Sequence, residues 1–177
     1  MQPSSLRPIA LIGLMGAGKS AVARVLGERL GAVVADLDAI IEAEEGAPIA
    51  ELFERAGEAW FRRREIEHLE TVLAVGADLI ACGGGIVLDP RGRALLSERC
   101  RVVWLEVEPA EAARRVAATS GLRPLLAGQV PEQRLAELLA ERAPLYAAVA
   151  HVRVVTDGRT PAEVADAALQ ALGASAG

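Results

Sequence analysis

Gly13-Leu-Met-Gly-Ala-Gly18-Lys19-Ser20 satisfies the pattern G-x-x-x-x-G-K-[ST]. It follows a short apolar run and opens a segment with helical spacing, the context in which that pattern binds phosphate. Glycines let successive backbone N–H groups turn inward into an anion-binding nest. The helix that follows adds the positive end of its dipole. Lys19 reaches phosphate oxygens, and the Ser20 hydroxyl suits a hard divalent cation such as Mg²⁺. The pattern reads as a nucleotide-phosphate site without saying which nucleotide chemistry follows. Lys19 is also the one lysine among 19 basic residues, so surface basicity is otherwise carried by arginine.

Five other groupings carry chemistry. Asp36-Leu37-Asp38 ends the second apolar run, where open α/β sheets bind ligands. If the segment is extended, both carboxylates point the same way, toward the phosphate loop. One then suits Mg²⁺ through water and the other the proton of an acceptor hydroxyl. Asp38 ahead of Ala39-Ile40-Ile41-Glu42 reads equally well as a helix N-cap. Phe61-Arg62-Arg63-Arg64-Glu65 sits among acidic neighbours, which usually means a solvated face with pairs such as Arg63 with Glu67. Trp60 and Phe61, two of five aromatics, adjoin it, and Arg62 shares a face with Glu65. An arginine so placed can grip a carboxylate bidentately. Gly83-Gly84-Gly85 reads as a flexible turn or as a place where a ligand touches backbone. Arg123 lies in the Gly-, Pro- and Arg-rich stretch 119–130, the kind of loop that closes over nucleotide. Arg142 precedes Pro144, which is expected to end or kink its helix.

The elements that must position these residues alternate. Strands are predicted at Ile9–Gly13, Ala32–Leu37, Asp78–Cys82, Arg101–Val107 and His151–Thr156. Helices are predicted at Lys19–Leu30, Ala39–Glu45, Ile49–Arg55, Glu58–Val75, Pro90–Ser97, Pro109–Ala118, Pro131–Arg142 and Pro161–Leu172. Alternation of this kind implies a parallel sheet covered on both faces. The expectation is a three-layer α/β/α fold with five parallel strands. The continuous apolar strands read as doubly covered.

Composition bounds the rest. At 177 residues the chain is long enough for one domain with its own core. Hydrophobic residues make up 52% and charged residues 24%, which excludes a disordered chain. A net charge of −5 argues against a nucleic-acid binder, and no apolar run reaches the length of a membrane span. Cys82 and Cys100 lack metal-site spacing, and His68 and His151 have no ligand partners in sequence, so all four read as structural or surface residues. With no secretory signal at the start, a cytoplasmic protein is expected.

Taken in order, GLMGAGKS, DLD, FRRRE, GGG, RPLL and R-x-P-L-Y resemble the shikimate kinases, small members of the nucleoside-monophosphate-kinase-like branch of phosphate-loop folds. The resemblance spans Ile9 to the last helix. It implies a P-loop kinase with an acceptor-binding segment at about 38–75, a lid at about 119–130 and a core of about 7–172. It implies ATP-dependent phosphorylation of the shikimate 3-hydroxyl, with Mg²⁺, in aromatic amino-acid biosynthesis. Gly13, Met15, Gly16, Ala17, Gly18, Lys19, Ser20 and Ala21 would hold ATP, with Arg115, Arg159 and Arg123 about the adenine and lid. Lys19, Asp38 and Arg123 would be catalytic, and Ser20 and Asp36 would serve Mg²⁺. Asp38, Phe53, Phe61, Arg62, Glu65, Gly83, Gly84, Gly85 and Arg142 would form the shikimate site. In it Arg62 and Arg142 clamp the carboxylate and Glu65 orients Arg62. A monomer without nucleic-acid or membrane partners is expected. Ala21 stands where many relatives carry threonine, and Cys82 where a small or hydroxyl residue is common. Another small-molecule kinase of the gluconate or nucleotide type, or an inactive nucleotide-binding regulator, is the alternative.

Overall fold

The computed structural model describes residues 7–118, 126 and 130–174. Five parallel strands form one sheet: β1 (Ile9–Ile12), β2 (Val34–Asp36), β3 (Leu79–Ala81), β4 (Arg101–Glu106) and β5 (Val152–Val155). Their spatial order is β2-β3-β1-β4-β5, with Ala10 opposite both Ile80 and Val102. The phosphate loop leaves the central strand and the Asp36 turn leaves an edge strand. Both emerge at the carboxyl ends, where such sheets bind ligands.

Alternation along the strands decides which layer each side chain enters. Ala10, Ile12, Ile80, Val102 and Trp104 share one buried core with Ile66, Leu69 and Leu73 of α4 (Glu58–Val75), Leu96 of α5 (Pro90–Arg99), and Tyr146 and Val149 of α7 (Pro131–Val149). Leu11, Leu79, Ala81, Val103 and Leu105 face the other way. They pack with α1 (Lys19–Leu30) through Val22, Ala23 and Leu26, with α6 (Pro109–Ala117) through Ala112, and with α8 (Pro161–Ala174) through Val164, Ala165 and Ala168. The three-layer arrangement matches the expectation. Double coverage holds only for the inner strands: Val34 on β2 and Val155 on β5 are exposed, because these two strands are the edges of the sheet.

A smaller core lies beside the main ones. Ile41 of α2 (Leu37–Glu45), Leu52 of α3 (Ile49–Ala56), Ala47 and Phe61 of α4 are buried together. This packing sets the angle at which α4 presents Arg62 and Glu65. Two of the helices here end on left-handed glycines: α2 stops at Gly46 (φ 64°) and α4 at Gly76 (φ 80°).

Helix α7 departs from the sequence reading. It does not end at Arg142 but continues through Pro144 to Val149. An interior proline removes one hydrogen bond and costs about 3 kcal/mol. Burial of Tyr146 and Val149 offsets that, at roughly 1.5–3 kcal/mol for each large apolar side chain. The earlier part of α7 places Leu135 and Leu138 in the opposite core, so one helix spans both layers. The turn after β3 also forms a short 3₁₀ segment, Ile86–Leu88, that the sequence reading did not foresee.

Candidate active site

The phosphate loop is tied to the sheet by its first glycine. Gly13 has φ 141°, and a Cβ there would collide with the Leu105 carbonyl of β4. Gly16 and Gly18 also have positive φ, 83° and 85°, a conformation that favours glycine. Gly18 then serves as the N-cap of α1, so Lys19 and Ser20 are its first two residues. The Lys19 ammonium donates to the Gly13 and Leu14 carbonyls, at 3.0 Å each. Ala17 N–H donates to the Leu14 carbonyl at 3.1 Å, closing the loop beneath Met15 and Gly16. Ala21 follows in the first turn of α1.

Asp36 and Asp38 separate rather than acting side by side. Strand β2 ends at Asp36, and Leu37 already belongs to α2. Asp36, not Asp38, is the N-cap: its Oδ1 accepts from Ala39 N at 3.3 Å. The rotation of a helical turn replaces the two-residue period of a strand. Asp36 therefore lines a groove with Ser20, while Asp38 points its Oδ1 toward Gly83 and Glu65.

Arg62 is held from three sides. Nη1 donates to Glu65 Oε2, and Nη2 donates to Glu58 Oε1 at 2.9 Å. The guanidinium lies 5.8 Å from the Phe53 ring centroid and 5.6 Å from that of Phe61. Those rings are 4.7 Å apart and form an apolar wall. Glu65 is wholly buried, and its Oε1 has no hydrogen-bond partner. Burial pushes its carboxyl up to about 7, although Arg62 opposes the rise. The solvated-face reading fits Arg63, which is exposed, and not Arg62. The partner of Glu67 is Arg64, at 2.7 Å, rather than Arg63.

Gly83, Gly84 and Gly85 are defined by lack of room. A Cβ on Gly83 would collide with Glu65 Oε1, and one on Gly85 would collide with the Arg62 guanidinium. A Cβ on Gly84 would lie 3.2 Å from the Gly13 carbonyl and 3.7 Å from Arg142 Nη1. The triple glycine is thus where the phosphate loop and the arginines meet. The Gly84 carbonyl accepts from Arg142 Nη1 at 3.2 Å and from the Tyr146 hydroxyl at 2.5 Å. Arg142 is only 2% exposed, and its Nε has no partner. Burial raises the Tyr146 phenol to about 12, so it remains a donor.

Arg115 is engaged by the protein itself. It donates to the Gly16 carbonyl at 3.3 Å, to the Thr156 carbonyl at 2.7 Å and to Glu111 at 2.7 Å. It joins the phosphate loop to the turn after β5. Arg159 is exposed in that turn, and its N–H donates to the Thr156 carbonyl at 3.2 Å. Arg123 and nearly all of the 119–130 stretch lie outside the described residues. Cys82 and Cys100 are buried, which raises both thiols. His68 is buried against Glu44, and His151 Nδ1 accepts from Val102 N–H at 3.1 Å.

This geometry has counterparts of known kind. A family model described as shikimate kinase matches residues 15–173. The chain belongs to the shikimate kinase family. Curated relatives include the shikimate kinase of Symbiobacterium thermophilum, 46% identical over 88% of this chain and 90% of its own length. That of Salinispora tropica is 48% identical over 88% of this chain and 91% of its own length. Among solved structures, the shikimate kinase from Acinetobacter baumannii in complex with shikimate superposes with a TM-score of 0.91. It is 38% identical and covers 96% of this chain and 94% of its own. A gluconokinase from Sinorhizobium meliloti shares the fold, with a TM-score of 0.60 at 20% identity over 95% of this chain and 92% of its own.

Two features of this shikimate kinase family member escaped the sequence reading. Tyr146 closes the R-x-P-L-Y motif, but only the fold shows its hydroxyl sharing the Gly84 carbonyl with Arg142. Glu58 carries a second hold on Arg62, four residues away on one helix face, a spacing the sequence displays. Ser20 and Asp36 line one groove, and a hydroxyl with a carboxylate fits Mg²⁺ in chemical type, since it takes few protein ligands and keeps water and phosphate oxygens. No cluster of three acidic, histidine or cysteine ligands exists among the described residues.

Proposed function

We propose that the chain transfers the γ-phosphoryl group of ATP to the 3-hydroxyl of shikimate, and that the side chains around Gly83–Gly85 bind the acceptor. The observation that carries this reading is the convergence of Asp38, Glu65, Arg62 and Arg142 on that glycine turn, which itself abuts Gly13. Arg62 and Arg142 hold the shikimate carboxylate, supplying the charge-assisted, planar recognition a carboxylate needs. Phe53 and Phe61 form the apolar wall against the ring. Asp38 accepts the proton of the 3-hydroxyl as its oxygen attacks the γ-phosphorus and the bond to ADP breaks. The phosphate loop and Lys19 hold the β- and γ-phosphates in line. Ser20, and Asp36 through water, would hold Mg²⁺, which would supply charge neutralisation at the phosphate oxygens. Arg123 stabilises the transferring group from the lid, and Arg115 and Arg159 border the adenine.

The same reading treats residues 1–177 as one P-loop kinase domain that works as a cytoplasmic monomer. A coupled assay of ADP release with shikimate, quinate, gluconate and nucleoside monophosphates tests the substrate. We expect turnover with shikimate to exceed that with every other acceptor. Preference for gluconate or a nucleotide, or ADP release independent of acceptor, overturns the proposal.

A further inference from the structure

Glu65 is a carboxylate without exposure, and half of it is unused. One oxygen holds Arg62; the other, Oε1, is buried without a hydrogen-bond partner beside Gly83. Asp38 Oδ1 approaches the same place, 3.0 Å from where a Gly83 Cβ would stand. Among the described residues, the charged and titratable groups acting on Glu65 are Arg62 on its own helix and Asp38 on α2. Arg142 and Tyr146 on α7, Cys82 after β3, Lys19, which acts on the same Cys82, and Glu58, which shares Arg62, stand beside them. With the tyrosine and the cysteine neutral, Arg62, Arg142 and Lys19 balance Glu65, Asp38 and Glu58.

An acid substrate adds one more carboxylate to this balanced set. A negative charge in excess is costly in such a place, and the imbalance falls on the group that water reaches least. We propose that shikimate enters together with one proton from solvent, which bonds to Oε1 of Glu65. The new O–H then donates toward Asp38 or the acceptor, while Oε2 continues to hold Arg62. Glu65 is thus a positioning residue that adjusts its charge to the substrate, and the proposal rests on the acceptor site described above. Its carboxyl is already raised to about 7 before any substrate arrives, so the added charge moves it through the neutral range.

The test is calorimetric titration of shikimate into the enzyme without ATP, at pH 7.5, in two buffers of different ionisation enthalpy. We expect uptake of most of a proton, roughly three quarters at this pH, per shikimate bound, and an affinity that falls as pH rises above 7, by up to about tenfold per unit. The neutral methyl ester of shikimate, titrated identically, should take up far less. Glu65→Gln imitates the protonated acid; it should bind shikimate with little uptake and little pH dependence. Binding of shikimate without uptake overturns the proposal while leaving the substrate assignment intact, and it needs no variant. Uptake that persists unchanged in Glu65→Gln assigns the proton elsewhere and also overturns it. Failure of the wild-type enzyme to bind shikimate removes both the proposal and the acceptor site beneath it.

Discussion

Two groups of glycines face each other across this site, and they are there for different reasons. In the phosphate loop, Gly16 and Gly18 have positive φ, and Gly18 has nothing within 4 Å of its missing Cβ. That loop needs glycine for its backbone path, alone at Gly18 and together with room at Gly13 and Gly16, where a Cβ would meet Leu105 and Ala112. In the acceptor turn, Gly83, Gly84 and Gly85 have no such φ, yet carboxylate, phosphate-loop backbone and guanidinium fill the places their side chains would take. That turn needs glycine for room. One half of the site is backbone held in an unusual conformation, suited to phosphates that every kinase of this kind binds. The other half is buried charge packed against bare backbone, suited to one acceptor.

The comparison can be broken at each half. The largest effect is expected at Asp38→Asn, which keeps the shape and removes the proposed proton acceptor. We predict a fall in kcat of about 10²–10⁴-fold with circular dichroism and melting temperature little changed. Near-normal kcat would place the proton elsewhere. Arg142→Ala comes next. Loss of a charge-assisted clamp of about 2–3 kcal/mol predicts a shikimate KM raised by roughly 30- to 150-fold, with ATP KM unchanged. An equal rise in both constants would mean that Arg142 only holds the fold together.

Gly85→Ala against Gly18→Ala sharpens the comparison itself. The first should displace Arg62 and raise the shikimate KM by about tenfold, because its cost falls on the clamp. The second meets open space but adopts a left-handed backbone, at a cost of about 1–2 kcal/mol, and should weaken ATP rather than shikimate. If both variants damaged the same substrate, the division between conformation and room would fail. Tyr146→Phe is the smallest step. It keeps the ring against Trp104, 5.7 Å away, and Arg142 keeps its bond to the Gly84 carbonyl. About 1 kcal/mol of lost hydrogen bond predicts a shikimate KM raised severalfold with kcat nearly constant. A change confined to kcat would contradict a positioning role.

The same division explains what could be read without coordinates. The phosphate loop is local: eight successive residues contain its glycines, lysine and serine, so type and spacing suffice. The acceptor half draws on α2, α3, α4, the turn after β3 and α7, and no spacing relates Asp38 to Arg142. Only the family resemblance gathered them. Where it was silent, local rules were misleading. Asp36-Leu37-Asp38 reads as extended, but the chain turns helical at Leu37 and sends the two carboxylates to different tasks. Pro144 reads as a helix end, but burial of Tyr146 and Val149 carries the helix past it. Beyond its i,i+3 partner Glu67, Arg64 pairs with Glu44 and Glu45 because α2 packs across α4, contacts no helical periodicity contains.

We propose that Arg62, half-buried, and Arg142, buried, select the acceptor by its carboxylate. Steady-state rates with shikimate and with its methyl ester, at saturating ATP, test it most directly. The ester keeps every hydroxyl and the ring but lacks the negative charge. The account predicts a KM at least about 50-fold higher for the ester, with the ATP KM unaltered. Equal KM values for acid and ester would contradict the clamp, whatever the enzyme's rate.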